Sequence, residues 1–143
     1  TVHDVEANHR LVNFWAARGD MLPRTMGETY ENLRDFFVVR EDGEAVACGA
    51  LKRHADGVGE VKRMYTRPSH RGQRIGAEIV KRIEALARRE GLKRLVLETG
   101  DRHHAAWTVY ERAGFTRCGA FGDYARMPPS AIERSVFYEK SLA

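Results

Sequence analysis

The stretch from Glu60 to Glu90, EVKRMYTRPSHRGQRIGAEIVKRIEALARRE, constrains the fold more than any other part of the chain. It opens as a strand-like run (Val58 to Thr66), crosses a short basic loop containing glycines (Arg71 to Ala77) and enters the most regular helical pattern in the sequence. From Gly76 onward Ile79, Val80, Ile83, Leu86 and Ala87 recur at helical spacing. Glu78 with Arg82 and Glu84 with Arg88 form i, i+4 pairs on the wet side. A strand feeding a helix through such a loop aims unpaired backbone N–H groups and the positive end of the helix dipole at one point in space. That point suits an anion, a phosphate foremost. Lys62, Arg63, Arg67, His70, Arg71 and Arg74 crowd the same turn, a local concentration that says more than the formal net charge of +4.

The flanking elements follow from periodicity and turn chemistry. Asp4 can cap a helix over about Val5 to Arg18, and the capping box Thr25-Met26-Gly27-Glu28 predicts a second, short helix over about Met26 to Leu33. Phe36 to Arg40 is β-rich, Asp42-Gly43 supplies a hairpin turn, and the chain returns as Glu44 to Arg53. Asp56-Gly57 makes a second turn, so Val58 to Thr66 reads as the third strand of a meander ended by Pro68. Gly91 stops the long helix, and Arg94 to Thr99 reads as a buried strand parallel to the one before that helix. A last helix fits about His104 to Ala113, with Ala106, Val109, Tyr110 and Ala113 inward. Phe115 to Cys118 and Ser135 to Lys140 then form a final antiparallel pair, separated by a sixteen-residue irregular segment.

Composition bounds the class. With 143 residues and 43% hydrophobic content, the expectation is one domain over 1–143 that closes its core without disulfides or metal. No window approaches the roughly 18 apolar residues of a membrane span, so no membrane partner is expected and the cytoplasm is the default location. Cys48 and Cys118 lack C-x-x-C spacing and read as buried free thiols, and His103 and His104 are adjacent rather than i, i+4, so no metal site is expected. The basic balance admits an anionic partner but carries no nucleic-acid signature, and none is expected to bind.

Two motifs carry a family resemblance. Arg71-Gly72-Gln73-Arg74-Ile75-Gly76-Ala77 resembles the pyrophosphate loop of the GNAT superfamily of acyl-CoA-dependent N-acetyltransferases. Tyr110-Glu111-Arg112-Ala113-Gly114-Phe115 resembles the Tyr-x-x-x-Gly-Phe that closes that family's last helix. The motifs stand at the right separation, with the strand and helix between them. The front, including Asn13-Phe14-Trp15, Met21-Leu22-Pro23-Arg24, Tyr30 to Phe36 and Gly49-Ala50-Leu51, is similar to the amino-acid acetylating branch of the N-acetylglutamate synthase-like type. The back, with Glu98-Thr99-Gly100, Phe121-Gly122-Asp123-Tyr124 and Ser135 to Lys140, resembles instead a broad group of bacterial GNAT proteins whose acceptors are mostly unassigned.

The resemblance implies an α/β (α+β) GNAT fold: a mixed central sheet, mostly antiparallel with one parallel splayed pair, and helices on both faces. It implies acetyl-CoA as co-substrate, no metal, a small amine as acceptor with amino acids among the candidates, attack in a ternary complex, and a homodimer as one expected assembly. The rivals are a protein-lysine acetyltransferase and a non-catalytic acyl-CoA-binding module. The chain starts near the family's first loop, so the family's first strand is missing at the N-terminus or lies outside this numbering. Arg74 stands where the loop usually has its middle glycine, which is tolerable with a negative φ. His103 stands where the last helix often begins with Asn or Gln beside the pantetheine arm.

Residue roles are carried over on the same terms. An ammonium of pKa ~10.4 is neutral in about one part in a thousand at pH 7, a cost near ~4 kcal/mol, so a base is called for. Glu60 matches the position where several GNAT enzymes hold one; the alternative is a strand-edge carboxylate paired with Lys62. Tyr110 resembles the general acid that protonates the leaving thiolate; the alternative is an aromatic anchor for its helix. A backbone N–H at Met64 or Tyr65 would polarise the thioester carbonyl. Met64, Tyr65 and Thr66 would run beside pantetheine, Arg71, Gly72, Gln73, Arg74, Ile75, Gly76 and Ala77 would cradle the pyrophosphate, and His103 would lie near the pantetheine arm. Arg24, Tyr30, Phe36, Phe121 and Tyr124 would line the acceptor side, each with the alternative of a surface arginine or core aromatic.

Overall fold

The β-branched and aromatic runs form strands, and the glycine turns between them set their register. The computed structural model describes residues 33–41 and 44–143. Strands β1 (Leu33–Glu41), β2 (Glu44–Arg53) and β3 (Val58–Thr66) make an antiparallel meander. The β2–β3 turn is made by Asp56 and Gly57, at φ 61° and 74°, the left-handed pair that a two-residue hairpin requires. Helix α1 (Ile75–Arg89) follows and ends before Gly91 at φ 75°. Strand β4 (Arg94–Gly100), helix α2 (His104–Arg112), strand β5 (Thr116–Cys118), a short helix α3 (Pro129–Ile132) and strand β6 (Ser135–Ser141) complete the order.

Among the described residues six strands stand in the order β1-β2-β3-β4-β6-β5, and β3 with β4 is the one parallel pair there. The crossover from β3 to β4 runs through α1, whose apolar stripe of Ile79, Val80, Ile83, Leu86 and Ala87 is buried on the sheet. Leu51, Val61, Leu95, Leu97, Val136 and Tyr138 meet it there in a single apolar cluster. Because side chains alternate along a strand, Glu60, Val96, Glu98 and Phe137 point to the opposite face.

Several expectations need correction. Leu33, expected to end a helix, is the first residue of β1 and pairs with Lys52. The expected helix over 5–18, the rest of the one over 26–33 and the Asp42-Gly43 turn lie outside the described residues. The segment after β5 is not wholly irregular: a 3-10 turn over Gly122–Arg126 and α3 fold within it, one or two turns each and too short to show periodicity. Arg74 has φ 62°, the left-handed conformation, and not the negative φ expected of a non-glycine residue there.

Candidate active site

Three local irregularities build the site. The first is a bulge in β3. Cys48 pairs with Tyr65 and Ala50 with Lys62, so Arg63 and Met64 together oppose Gly49. Arg63 takes φ 58°, and the Cys48 thiol donates to its carbonyl at 3.2 Å. Gly49 is required: a Cβ there would lie 2.5 Å from Met64 Sδ and 2.6 Å from Ile79 Cγ2.

The second is a wedge in the sheet. Parallel pairing of β3 with β4 runs from Val58↔Arg94 to Val61↔Leu97 and stops, while β3 continues to Thr66 and β4 to Gly100. Beyond Val61 the two strands are not paired with each other, and the β3 backbone from Met64 to Thr66 lies on that stretch. That stretch can pair with an extended ligand as another strand would.

The third is the start of α1. Pro68–His70 forms a 3-10 turn, Gly72 takes φ 82° and Arg74 caps the helix in the left-handed conformation with no side-chain cap bond. Glu78 N–H reaches Arg74 O at 3.1 Å, while the N–H groups of Ile75, Gly76 and Ala77 have no acceptor among the described residues. Gly76 has neither a positive φ nor a crowding neighbour: a Cβ would meet only Val109 Cγ1, at 4.0 Å. The space above it belongs to whatever approaches the helix end. Arg71 folds back, its Nε donating to Thr66 O at 3.1 Å and its guanidinium 5.9 Å from the centre of the Tyr65 ring, so it ties the loop to the end of β3. Gln73 and Arg74 are exposed.

Polar groups collect on the sheet face away from α1. Glu60 is 2% exposed and Glu98 9%. Glu60 Oε1 lies 2.8 Å from His54 Nε2, and Oε2 lies 3.4 Å from Lys62 Nζ. Glu98 accepts from the Ser135 hydroxyl. Tyr124 closes this face in an edge-to-face trio with Phe121 and Phe137, the ring centres 5.3 to 5.5 Å apart. Burial, then the charges of Glu60 and Glu98, push the Tyr124 phenol up while Arg63 pulls it the other way, so that hydroxyl lies within the field of all three.

Tyr110 comes from the other side of the wedge. It is the one fully buried residue of α2, its ring 6.1 Å from those of both Phe115 and Tyr138. Burial, and after it the Glu98 carboxylate, push its phenol well above the ordinary range. His103 caps α2, and its carbonyl accepts from Trp107 N–H at 3.1 Å. The indole of Trp107 donates to Gly100 O at 2.9 Å and carries the Arg117 guanidinium 4.4 Å over its ring, which fixes α2 against the end of β4.

The fold brings Tyr124, with Phe121 against its ring, into the field of Glu60 and Glu98, Tyr110 into the field of Glu98, and Arg71 of the 71–77 loop against Tyr65 and Thr66. Arg24, Tyr30 and the side chain of Phe36 lie outside the described residues. Sequence reasoning missed His54, Glu98 and Ser135. The signal for His54 was available, because the Asp56-Gly57 turn sets a register that places it diagonal to Glu60. Among the described residues no group of His, Cys, Asp and Glu could hold a metal ion, and no helix is long and apolar enough to cross a membrane.

Comparison with known proteins agrees with this geometry. The family model described as acetyltransferase (GNAT) family matches residues 5–115. An IAA acetyltransferase of Azospirillum brasilense is 42% identical over 108 residues, covering 75% of this chain and 67% of that protein. An amino-acid acetyltransferase of Ralstonia nicotianae is 32% identical over 105 residues, covering 73% of this chain and 23% of its own length. Among solved structures, one from Klebsiella pneumoniae named for the acyl-CoA N-acyltransferases superposes with a TM-score of 0.72 at 34% identity, over 96% of this chain and 88% of that one. The wedge beside an uncapped helix end, the match over most of the chain and these relatives lead to one conclusion: the protein belongs to the GNAT acetyltransferase family.

Proposed function

We propose that this chain transfers the acetyl group of acetyl-CoA to the primary amine of a small molecule, amino acids being the first class to test, with both substrates bound together. The observation that carries the reading is the wedge: a strand edge left without its parallel partner after Val61, lying beside a helix N-terminus with unused N–H groups. The two features match an extended arm ending in a pyrophosphate, and the unfilled space at Gly76 allows phosphates to approach the backbone.

Acetyl-CoA supplies the acyl group already activated as a thioester. The chain supplies the rest. Ile75, Gly76 and Ala77 offer N–H donors and the helix dipole to the phosphates, with Arg74 adding charge at the rim. Met64, Tyr65 and Thr66 offer the strand edge, and of the two candidate N–H groups for the carbonyl oxygen on which charge develops we assign Met64, because the Tyr65 backbone bonds to Cys48. Glu60, in contact with His54 and Lys62, takes a proton from the acceptor ammonium. Tyr110 gives its proton to the departing sulfur, against the effect of burial and of Glu98, which push its phenol up and make it a weaker acid than a free tyrosine. Phe121, Tyr124 and Phe137 wall the acceptor side with aromatic surface beside two carboxylates, a setting suited to an ammonium group.

Support for an amino-acid acceptor comes from the relatives named amino-acid acetyltransferase and from the resemblance of the front of the chain. The relative named IAA acetyltransferase carries a different acceptor in its name. The test is a screen of thiol release from acetyl-CoA with free amino acids, polyamines and lysine peptides as acceptors. Turnover with free amino acids supports the reading, and turnover confined to peptides contradicts it.

A further inference from the structure

The Glu60 carboxylate is buried, its side chain 3% exposed, and a base so placed must lose the proton it gains before it can act again. His54 offers the route. It sits at the end of β2, where its N–H bonds to Val58 O at 2.8 Å, and its ring reaches diagonally across the hairpin to put Nε2 2.8 Å from Glu60 Oε1. Its own side chain is 27% exposed, so the imidazole that touches the buried carboxylate also meets solvent. The wedge opens one residue beyond Glu60 along β3, whereas His54 lies toward the hairpin end, so the path leads away from the acceptor.

We propose that His54 is the relay through which Glu60 returns its proton to water, a positioning residue for the transfer reaction and not a substrate contact. The inference rests on the reading of Glu60 as the base. The proton balance closes. At rest Nε2–H donates to the ionised Oε1. When Glu60 has taken a proton from the acceptor ammonium, the ring exchanges with water to its Nδ1–H tautomer, and Oε1–H now donates to Nε2. Transfer to Nε2 regenerates the carboxylate and forms imidazolium, and loss of the Nδ1 proton to water restores the starting pair. One proton passes from ammonium to solvent, and no other reactant is needed.

The remaining titratable groups that face the pair are Lys62 on Oε2, Lys52 opposite Glu60 in register, and Tyr124, whose phenol feels the Glu60 charge. Lys62 Nζ stands 3.4 Å from Oε2. It cannot replace the histidine, because an ammonium has no lone pair with which to accept the Glu60 proton.

The experiment measures thiol release from acetyl-CoA, with an equimolar mixture of free L-amino acids, spermidine and a lysine peptide as separate acceptors, for the unaltered protein and three variants. His54→Ala should lower kcat about tenfold with KM for acetyl-CoA unchanged, and added imidazole should restore the rate in a saturable way. His54→Gln keeps a donor to Oε1 and should keep the melting temperature, yet it should be as slow as His54→Ala. Glu60→Gln should be slower still and insensitive to imidazole. If both His54 variants keep the full rate, or lose it without rescue by imidazole, the relay is overturned while Glu60 can stand as the base. A Glu60→Gln variant at full rate, or no turnover by the unaltered protein with any of the three acceptors, removes the base reading and the relay with it.

Discussion

A methyl group at position 49 tests how the bulge and the helix end are coupled. The Cβ of Gly49→Ala would stand 2.5 Å from Met64 Sδ, 2.6 Å from Ile79 Cγ2 and 3.4 Å from Ile83 Cδ1. Carbon contacts are comfortable at about 3.5 to 4.0 Å, so the first two neighbours must each retreat by about 1 Å. Met64 can swing its thioether aside, at the cost of disturbing the strand edge. Ile79 is fully buried and, being β-branched in a helix, has essentially one χ1 rotamer, so relief requires α1 itself to move. Overpacking of this kind costs about 1–3 kcal/mol, or about 3–10 °C in Tm for a domain of this size. Strain of about 1.4 kcal/mol relieved by shifting the helix would weaken coenzyme A binding about tenfold. Gly59→Ala is the control. Its Cβ would lie 2.9 Å from Leu51 Cδ1 and from Leu92 Cδ1, crowded though less tightly than at position 49, and Gly59 pairs with Leu95 below the wedge. It should also lower Tm, by no more than Gly49→Ala does, and leave coenzyme A affinity within about twofold. Thermal unfolding and calorimetric titration of both variants decide the matter. An unchanged Tm for Gly49→Ala, or equal losses of affinity in the two, would refute the coupling.

Four further outcomes follow from the same geometry. Tyr110→Phe keeps the ring contacts with Phe115 and Tyr138, so kcat should fall about a hundredfold or more while coenzyme A affinity holds. Because burial and Glu98 raise the phenol, its protonated form persists to higher pH, and the rate profile of the unaltered protein should show no basic limb from this group below about pH 10. Gly76→Ala meets no neighbour closer than 4.0 Å and should stabilise the helix by about 0.5–1 kcal/mol, yet weaken coenzyme A binding measured by calorimetry. Glu84 carries two opposed effects: burial raises its carboxyl, but bonds and charges from Lys140 and Arg88 outweigh it and hold the group below its ordinary value. A depressed folded-state value stabilises above the unfolded pKa and is lost as pH falls through the folded one. Tm should therefore drop below about pH 4.5 more steeply in the unaltered protein than in Glu84→Gln, as scanning calorimetry across that range would record.

Much of the fold was legible because local chemistry and tertiary need agreed. Asp56-Gly57 and Gly91 adopt the positive φ values their positions predict, and β3 spans Val58 to Thr66 as its β-branched run and Pro68 require. The apolar stripe of α1 faces the sheet residue for residue. Illegible features were those where tertiary structure overrides a local preference. Arg74 and Arg63 are held at φ values that an arginine avoids, one at the turn into α1 and the other by a bulge that no composition signals. Glu98 looked like an ordinary strand residue, since its place beside the wedge depends on where β3 leaves β4. Ser135 is 37 positions from Glu98, and only the antiparallel β4–β6 register brings the two strands together there. The 3-10 turn over Gly122–Arg126 carries Tyr124 to the two carboxylates through aromatic packing on Phe137, a contact with no periodic trace in the sequence.

The central claim is that the wedge after Val61 and the first turn of α1 together bind acetyl-CoA. Calorimetric titration of the unaltered chain with acetyl-CoA, paired with amide hydrogen exchange, tests it most directly. The account predicts saturable binding, with exchange slowed at Met64 to Thr66 and at Ile75 to Ala77 and little changed at the far end of β4. Absence of binding at millimolar acetyl-CoA, or binding that leaves those amides unprotected, would contradict it.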